Sequence, residues 1–385
     1  MPRAHQIYTI AIIGFIYTLH IAIPMYSNSS FLSLFASEST VGLIYMMGSA
    51  VSILGFLFIP QFIRKYGNYR ATVWLILIQI VLYYAMITSE SASITATIFV
   101  LQTAVISLIG LCIDIFLEAY TEPHHIGKIR GLFSATLNAS WVISPLIGSM
   151  LINGSENYKT AYVAALSMLF PLLYLIYRNF PRFKDPNYTH ISPHQLIKHI
   201  MTRSSWVKLF IANIILQTFY SWMVVYSTIY LNKNMGFGWT EMGLILTIML
   251  IPFPLIQYPL GKLSDQKVGE RKIMMIGFLI MGLATMALSF IGAQNITLWI
   301  IGLFMTRVGA AAAEIMIETY FFKTVPTKDS SVLGLFRLTR PSAYFFAPII
   351  TYFGLMITSD RYIFVILGLV CLLAIYPAYK IKDTI

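Results

Sequence analysis

The sequence predicts an all-α membrane protein: twelve transmembrane helices arranged as two six-helix bundles related by pseudo-twofold symmetry. Three observations carry this. First, 58% of the 385 residues are hydrophobic and only 11% are charged, whereas soluble domains carry about 25% charged residues. The mean hydropathy of +0.75 agrees. Second, the chain divides into apolar runs of about 20 residues with short connections, the length that crosses a bilayer core as a helix. Third, the stretch Asp114-Ile-Phe-Leu-Glu118-Ala-Tyr120 returns 200 positions later as Glu314-Ile-Met-Ile-Glu318-Thr-Tyr320.

The spacing predicts spans over 7–25, 41–60, 71–88, 94–117, 131–153 and 158–178 in the first half. It predicts 206–231, 241–261, 272–292, 297–319, 332–356 and 361–379 in the second. Each half reads as a bundle, 1–178 and 206–385. Residues 179–205 form a polar linker with a short interfacial helix expected from Pro193 to Met201. The repeat is not confined to the acids. Gly131-Leu132-Phe133 matches Gly334-Leu335-Phe336, Pro145 matches Pro348, and Gly42-Leu43-Ile44 matches Gly243-Leu244-Ile245. Duplicated halves of this kind are parallel repeats about an axis along the membrane normal.

A net charge of +11 could point to nucleic acid, but its distribution points to topology. With the amino terminus inside, twenty Lys and Arg fall on the cytoplasmic side, and three, Lys159, Lys233 and Arg361, fall outside. The remaining three, Arg307, Arg337 and Arg340, lie within spans. By the positive-inside rule both termini are cytoplasmic, in a multi-pass cytoplasmic (inner) membrane protein. The basic side would touch anionic lipid headgroups. The lipid bilayer and a small-molecule substrate are the expected partners, nucleic acid is not, and the chain is expected to act as a monomer. No cleavable signal peptide is expected. Cys112 and Cys371 fall inside apolar runs and read as small buried hydrophobes.

Ionisable groups at membrane depth cost roughly 2.5–3.5 kcal/mol each on insertion scales, so they mark a route or a gate. Arg307 and Glu314 are seven apart in the tenth span, which puts them on one helix face about 10 Å apart along the axis. Asp114 is the counterpart of Glu314 in the fourth span. The expectation is that Glu314, with Asp114, exchanges protons. A static ion pair joining helices is the alternative. His20, alone in the first span, reads as a protonatable cavity group or as a hydrogen-bonded packing residue. Gln217, Tyr220, Trp222 and Tyr226 suggest a polar-aromatic stripe in the seventh span, with Asn138 and Trp141 offering similar chemistry in the fifth. At the cytoplasmic ends, Glu118 is expected to meet Arg64 or Lys65, and Glu318 to meet Lys267 or Arg271. Arg337 and Arg340 are placed to reach Glu118, Glu314 or Glu318, or an anionic substrate.

The loop after the eighth span reads Gly261-Lys-Leu-Ser-Asp265-Gln-Lys-Val-Gly269-Glu-Arg271-Lys272. It resembles the signature loop of the major facilitator superfamily, G-x-L-x-D-x-x-G-R-R, with one inserted residue. That resemblance implies a gate: Gly261 would allow close helix contact, and Asp265 would face the amino end of the fifth span near Gly131. The matching first-half loop carries Arg64 where the acid would stand, so it cannot make the same contact. The fifth span also resembles the antiporter pattern of the superfamily, with Gly131, Ser140, Ser144, Pro145, Gly148 and Ser149 at its spacings and Ser for Gly at three of them. Small residues there let helices pack closely.

The resemblance implies that spans one, four, seven and ten line a central cavity. It implies secondary active transport of a small solute by alternating access, and the fifth-span pattern leans toward efflux antiport. A passive facilitator, an importer of a sugar-like nutrient, and a receptor that kept the fold without flux are the alternatives. No cofactor or metal is expected, a proton being the only coupling ion suggested. No phosphate loop or catalytic triad occurs, so an enzyme is not expected.

Overall fold

The structure, a computed structural model, describes residues 3–121, 126–152, 157–185, 200–263, 269–292, 294–325 and 330–384. All regular elements among them are helical. In chain order they are α1 (Arg3–Met25), α2 (Asn28–Leu32), α3 (Glu38–Tyr66), α4 (Asn68–Thr88), α5 (Ala92–Tyr120), α6 (Ile126–Ile152) and α7 (Lys159–Asn179). There follow α8 (Ser204–Ile229), α9 (Trp239–Leu250), α10 (Pro252–Leu263), α11 (Glu270–Leu288), α12 (Ile296–Thr324), α13 (Ser330–Ile357), α14 (Ile363–Leu373) and α15 (Ile375–Tyr379).

Ten of the spans are long and apolar enough to cross a membrane by length and composition, and Ile363–Tyr379 is a shorter apolar helix. With α13, they account for the twelve expected spans. Several run past their apolar cores. The fourth covers 92–120 and the tenth 296–324, because helix caps and polar last turns lie outside the hydropathy window. Side-chain caps fix two of these starts: Ser37 accepts the amide of Thr40, and Asn295 accepts that of Leu298. The eighth span is not one helix. It breaks between α9 and α10 at Pro252, a residue that has no backbone N–H to offer the preceding turn. The seventh runs on through one π-helical turn, Tyr230–Asn234, and the twelfth breaks at Ala374, three residues before Pro377.

The chain forms two compact units, residues 1–188 and 189–385. In the first, α1 packs on α6 and α7, α5 packs on α3 and α4, and α4 packs on α7. In the second, α8 packs on α13, α12 packs on α9, α10 and α11, and α11 packs on α14. The neighbour map is the same: first span on fifth, second on fourth, third on fourth and sixth. Apolar residues such as Val81, Tyr84, Leu283 and Leu298 point outward and are exposed, as they must be where lipid is the solvent.

A glycine turn closes each unit in the same way, at the two glycines that the matching loops align, Gly67 and Gly269. Gly67 and Gly269 have φ of 83° and 73°, in the left-handed region open to glycine. Each precedes the third span of its unit, α4 or α11. An acid from beyond the sixth span then caps that helix: Asp185 accepts the amide of Asn68 at 2.8 Å, and Asp383 accepts the amide of Arg271 at 2.8 Å. A carboxylate there meets both unsatisfied N–H groups and the positive end of the helix dipole. A side chain on Gly67 would stand 2.8 Å from the Asp185 carboxylate, so glycine is required twice over. The interfacial helix expected over 193–201 falls mostly outside the described residues.

Candidate functional site

The polar interior of the second unit is built on α12. Arg307 is only 1% exposed, and its guanidinium lies over the rings of Phe219 and Tyr220 on α8, at 5.0 and 5.6 Å from their centroids. Such contacts stabilise a desolvated cation by about 2 kcal/mol or more. Two turns along α12, Glu314 is half-buried, and its Oε2 accepts a hydrogen bond from Gln257 Nε2 of α10 at 2.8 Å. Tyr220 and Arg340 also lie close enough to act on this carboxylate. Both charges therefore face the bundle and not the lipid. One turn further, Glu318 meets Arg337 of α13, Oε1 to Nη1 at 3.5 Å. Arg340 reaches Tyr344 one turn along its own helix.

The small-residue sites lie where α6 crosses α1. Ser140 donates to the carbonyl of Phe15 at 2.9 Å, and Ser144 donates to the carbonyl of Ser140 at 2.5 Å. Gly148 is in closer contact still: a Cβ there would sit 2.6 Å from the carbonyl oxygen of Ile23. Pro145 is buried between them. His20 is fully buried on α1, with Nδ1 bonded to the carbonyl of Tyr17 and the ring packed against Tyr17 and Tyr83. Asp114 is half-buried on α5, and Asn138 and Trp141 are half-buried on α6.

Comparison with known families decides the reading of this arrangement. The family model described as Major Facilitator Superfamily matches residues 9–240 and again 209–383, so both halves of the duplication satisfy it. The chain belongs to the major facilitator superfamily. No curated protein matches the sequence. The superfamily is one of membrane transporters, and this chain is a multi-pass member of it.

Within a superfamily fold, the expected gating residues are placed unevenly. Gly261 lies against α12, with Ile315 the nearest side chain at 3.8 Å from where a Cβ would stand. Asp265 and Lys267 lie outside the described residues. Arg64 occupies the last turn of α3, and Glu118 is exposed near the end of α5. The proposed pairing of Arg271 with Glu318 is corrected. Asp383 takes both the amide and the guanidinium of Arg271, the latter at 3.8 Å. Glu318 is met from α13 by Arg337 instead, one of the partners the spacing left open.

The seventh-span stripe is also corrected. Gln217 and Tyr220 share one face and are half-buried, but Trp222 and Tyr226 are buried in an aromatic cluster with Phe364 and Tyr230. Positions 220 and 222 differ by about 200° around a helix, so they could not share a face.

Two buried or half-buried polar residues of this unit carry no mark in the sequence pattern. Gln257 stands out only as the one amide in the proline-rich run Pro252-Phe-Pro-Leu-Ile-Gln257. Glu270 sits among basic residues in the run Lys267-Val-Gly-Glu270-Arg-Lys272, which hides it. It is fully buried, accepts Lys323 Nζ at 2.8 Å, and accepts the hydroxyl of Thr384 at 2.6 Å.

Proposed function

We propose that this chain is a secondary active transporter that moves a small solute by alternating access, with Glu314 as the group that couples solute to protons. One observation carries the proposal: a carboxyl at membrane depth that accepts a hydrogen bond from a neutral amide, Gln257, at 2.8 Å. An amide both donates and accepts, so Gln257 can serve the carboxylate through its N–H and the carboxylic acid through its carbonyl. A fixed cation could not serve both forms. Arg307, one face-repeat away on the same helix, supplies a permanent positive charge for an anionic or polar group on the solute. Asp114, at the matching place on α5, is the second candidate for proton exchange. The small-residue crossing of α6 on α1 supports efflux by antiport as the direction. The basic flanks support a cytoplasmic membrane with both termini inside.

The test uses reconstituted protein and a solute panel. Proteoliposomes loaded with a pH indicator report which solutes evoke proton movement. Glu314→Gln is expected to abolish that proton movement while leaving solute exchange at equal concentrations on the two sides. Asp114→Asn, measured beside it, shows whether the first-unit acid shares the step. If Glu314→Gln moves protons as the parent does, the coupling role is lost. If no imposed pH gradient alters flux of any transported solute, the protein is a passive facilitator.

A further inference from the structure

At one end of the second unit, where α8 begins and α15 ends, lies a cavity of about 610 Å³. Its wall carries Arg203, Lys208, Lys380 and Lys382, together with Trp206 and Tyr320. Among the described residues, none of these four cations takes part in an ion pair. Lys208 Nζ instead donates to the carbonyl of Lys380 at 3.3 Å, and Arg203 lies over the ring of Trp206 at 4.4 Å. Two acids lie nearby, Glu270 and Asp383. Each is already engaged, the first by Lys323 and Thr384 and the second by Arg271. The positive charge of the wall is therefore not cancelled locally.

The start of α8 adds to it. Ser204 and Ser205 line the same cavity, and no side chain caps this 26-residue helix. Amides at a helix start, next to four cations, suit a tetrahedral oxyanion. The rim is amphipathic as well. Tyr376 and Tyr379 are exposed, and Lys380 Nζ sits 5.9 and 5.7 Å from their rings, the aromatic and basic mixture found at headgroup depth.

The first unit explains why the space exists. Counting back from the capping acids, Asp185 and Asp383, the basic pair Arg182 and Lys184 matches Lys380 and Lys382. The aromatic pair Phe180 and Phe183 matches Ala378 and Ile381. In the first unit both phenylalanines pack against Phe116 and Tyr120. In the second unit Tyr320 stands where Tyr120 does, but an alanine and an isoleucine replace the two rings, and the cavity lies beside Tyr320.

We infer that this cavity is a binding site for an anionic phosphate group, carried either by a membrane phospholipid or by a soluble phosphate ester. Purified full-length protein in neutral detergent is titrated with short-chain phosphatidylglycerol, with phosphatidylcholine of the same chains, and with glycerol 3-phosphate. Melting temperature and retention in native mass spectrometry are the readouts. Phosphatidylglycerol is expected to bind about tenfold more tightly than phosphatidylcholine, and Lys380→Gln/Lys382→Gln to lose about tenfold of that affinity. Arg182→Gln/Lys184→Gln, the same change in the first unit, is expected to leave it unaltered. Glycerol 3-phosphate binding as well as the lipid identifies a soluble ester as the ligand, and binding by the lipid alone identifies the membrane. Should the lysine double variant not purify, Lys208→Gln carries the same expectations. Equal binding of the two lipids, no loss on removing the lysines, or an equal loss in the first-unit variant overturns the site.

Discussion

The two units share a neighbour map, a left-handed glycine before the third span and an acid that caps it, yet they differ in what they bury. At the position after that glycine the first unit has Asn68, whose Nδ2 donates to the carbonyl of Cys112 at 3.0 Å. The second has Glu270, fully buried and held by Lys323. Where span one meets span five, a hydroxyl reaches a backbone carbonyl, Ser140 to Phe15. Where span seven meets span eleven, Asn213 donates to Thr339 at 2.9 Å, side chain to side chain. The buried polar groups of the first unit include His20, Gln79 and Gln102, and those of the second include Arg307 and Glu270. Duplication has thus kept the helix scaffold in both copies, while the second has taken on buried charged side chains, Arg307 and Glu270. That asymmetry agrees with the coupling proposed for Glu314, since charge movement is least costly where other charges already hold the site polar.

The largest effect expected from exchanging the units' residues is steric. Gly148 of α6 corresponds to Thr351 of α13, counting from the matched prolines Pro145 and Pro348. In the first unit the backbones touch, with 2.6 Å between a Cβ at 148 and the Ile23 carbonyl. In the second unit Thr351 is accommodated, buried, with its hydroxyl on the carbonyl of Ala347 at 3.0 Å. Gly148→Thr should therefore cost about 3 kcal/mol or more by forcing α1 and α6 apart. Thr351→Gly should cost less, about 2 kcal/mol, the sum of a lost two-carbon side chain and a more flexible backbone. Thermal denaturation in one detergent compares the two. Equal losses would mean that the helix separation in the two units is not set at this position.

The next effect is electrostatic. Removing one partner of a buried ion pair strands the other, at about 3–5 kcal/mol when both are buried. Lys323 is a third exposed while Glu270 is not exposed at all. Water and Thr384 therefore recover part of the loss, and Lys323→Met should cost about 2 kcal/mol. Glu270→Gln/Lys323→Met, which removes both charges and keeps a group for Thr384, should be more stable than the single change. A double variant no better than Lys323→Met would show that Glu270 is not stranded by the loss of its lysine.

Much of this architecture was legible in the sequence because lipid leaves few choices. A span must be a helix of roughly 20 apolar residues, so the twelve spans, the duplication and the acids of α5 and α12 could be read directly. What could not be read were partnerships across long stretches of chain. Asp383 reaches Arg271 over a separation of 112 residues, and Asp185 reaches Asn68 over 117. Neither acid sits in an apolar run that would have marked it. Arg271 and Glu318 match in charge and depth, yet Asp383 takes Arg271 and Arg337 takes Glu318. Within α8, the helical period could have separated Tyr220 from Trp222 without any coordinates. At the other extreme, the expected contact of Asp265 falls outside the described residues.

The smallest expected effect sharpens the same pair of positions from the neutral side. Asn68 is buried, and its amide spans from the start of α4 to α5. Asn68→Ala removes the donor and leaves the Cys112 carbonyl with its own intrahelical bond, so the cost should be about 1 kcal/mol, that of one neutral hydrogen bond. Asn68→Asp places a carboxylate where the second unit has Glu270, but opposite a carbonyl oxygen and beside the Asp185 cap, with no lysine on α5 to meet it. It should therefore be the more damaging of the two. Melting temperatures ordered parent, Asn68→Ala, Asn68→Asp would show that the ionic link depends on Lys323 and not on the position alone. The reverse order would mean that the first unit already tolerates the charge, and that the contrast between the units lies elsewhere.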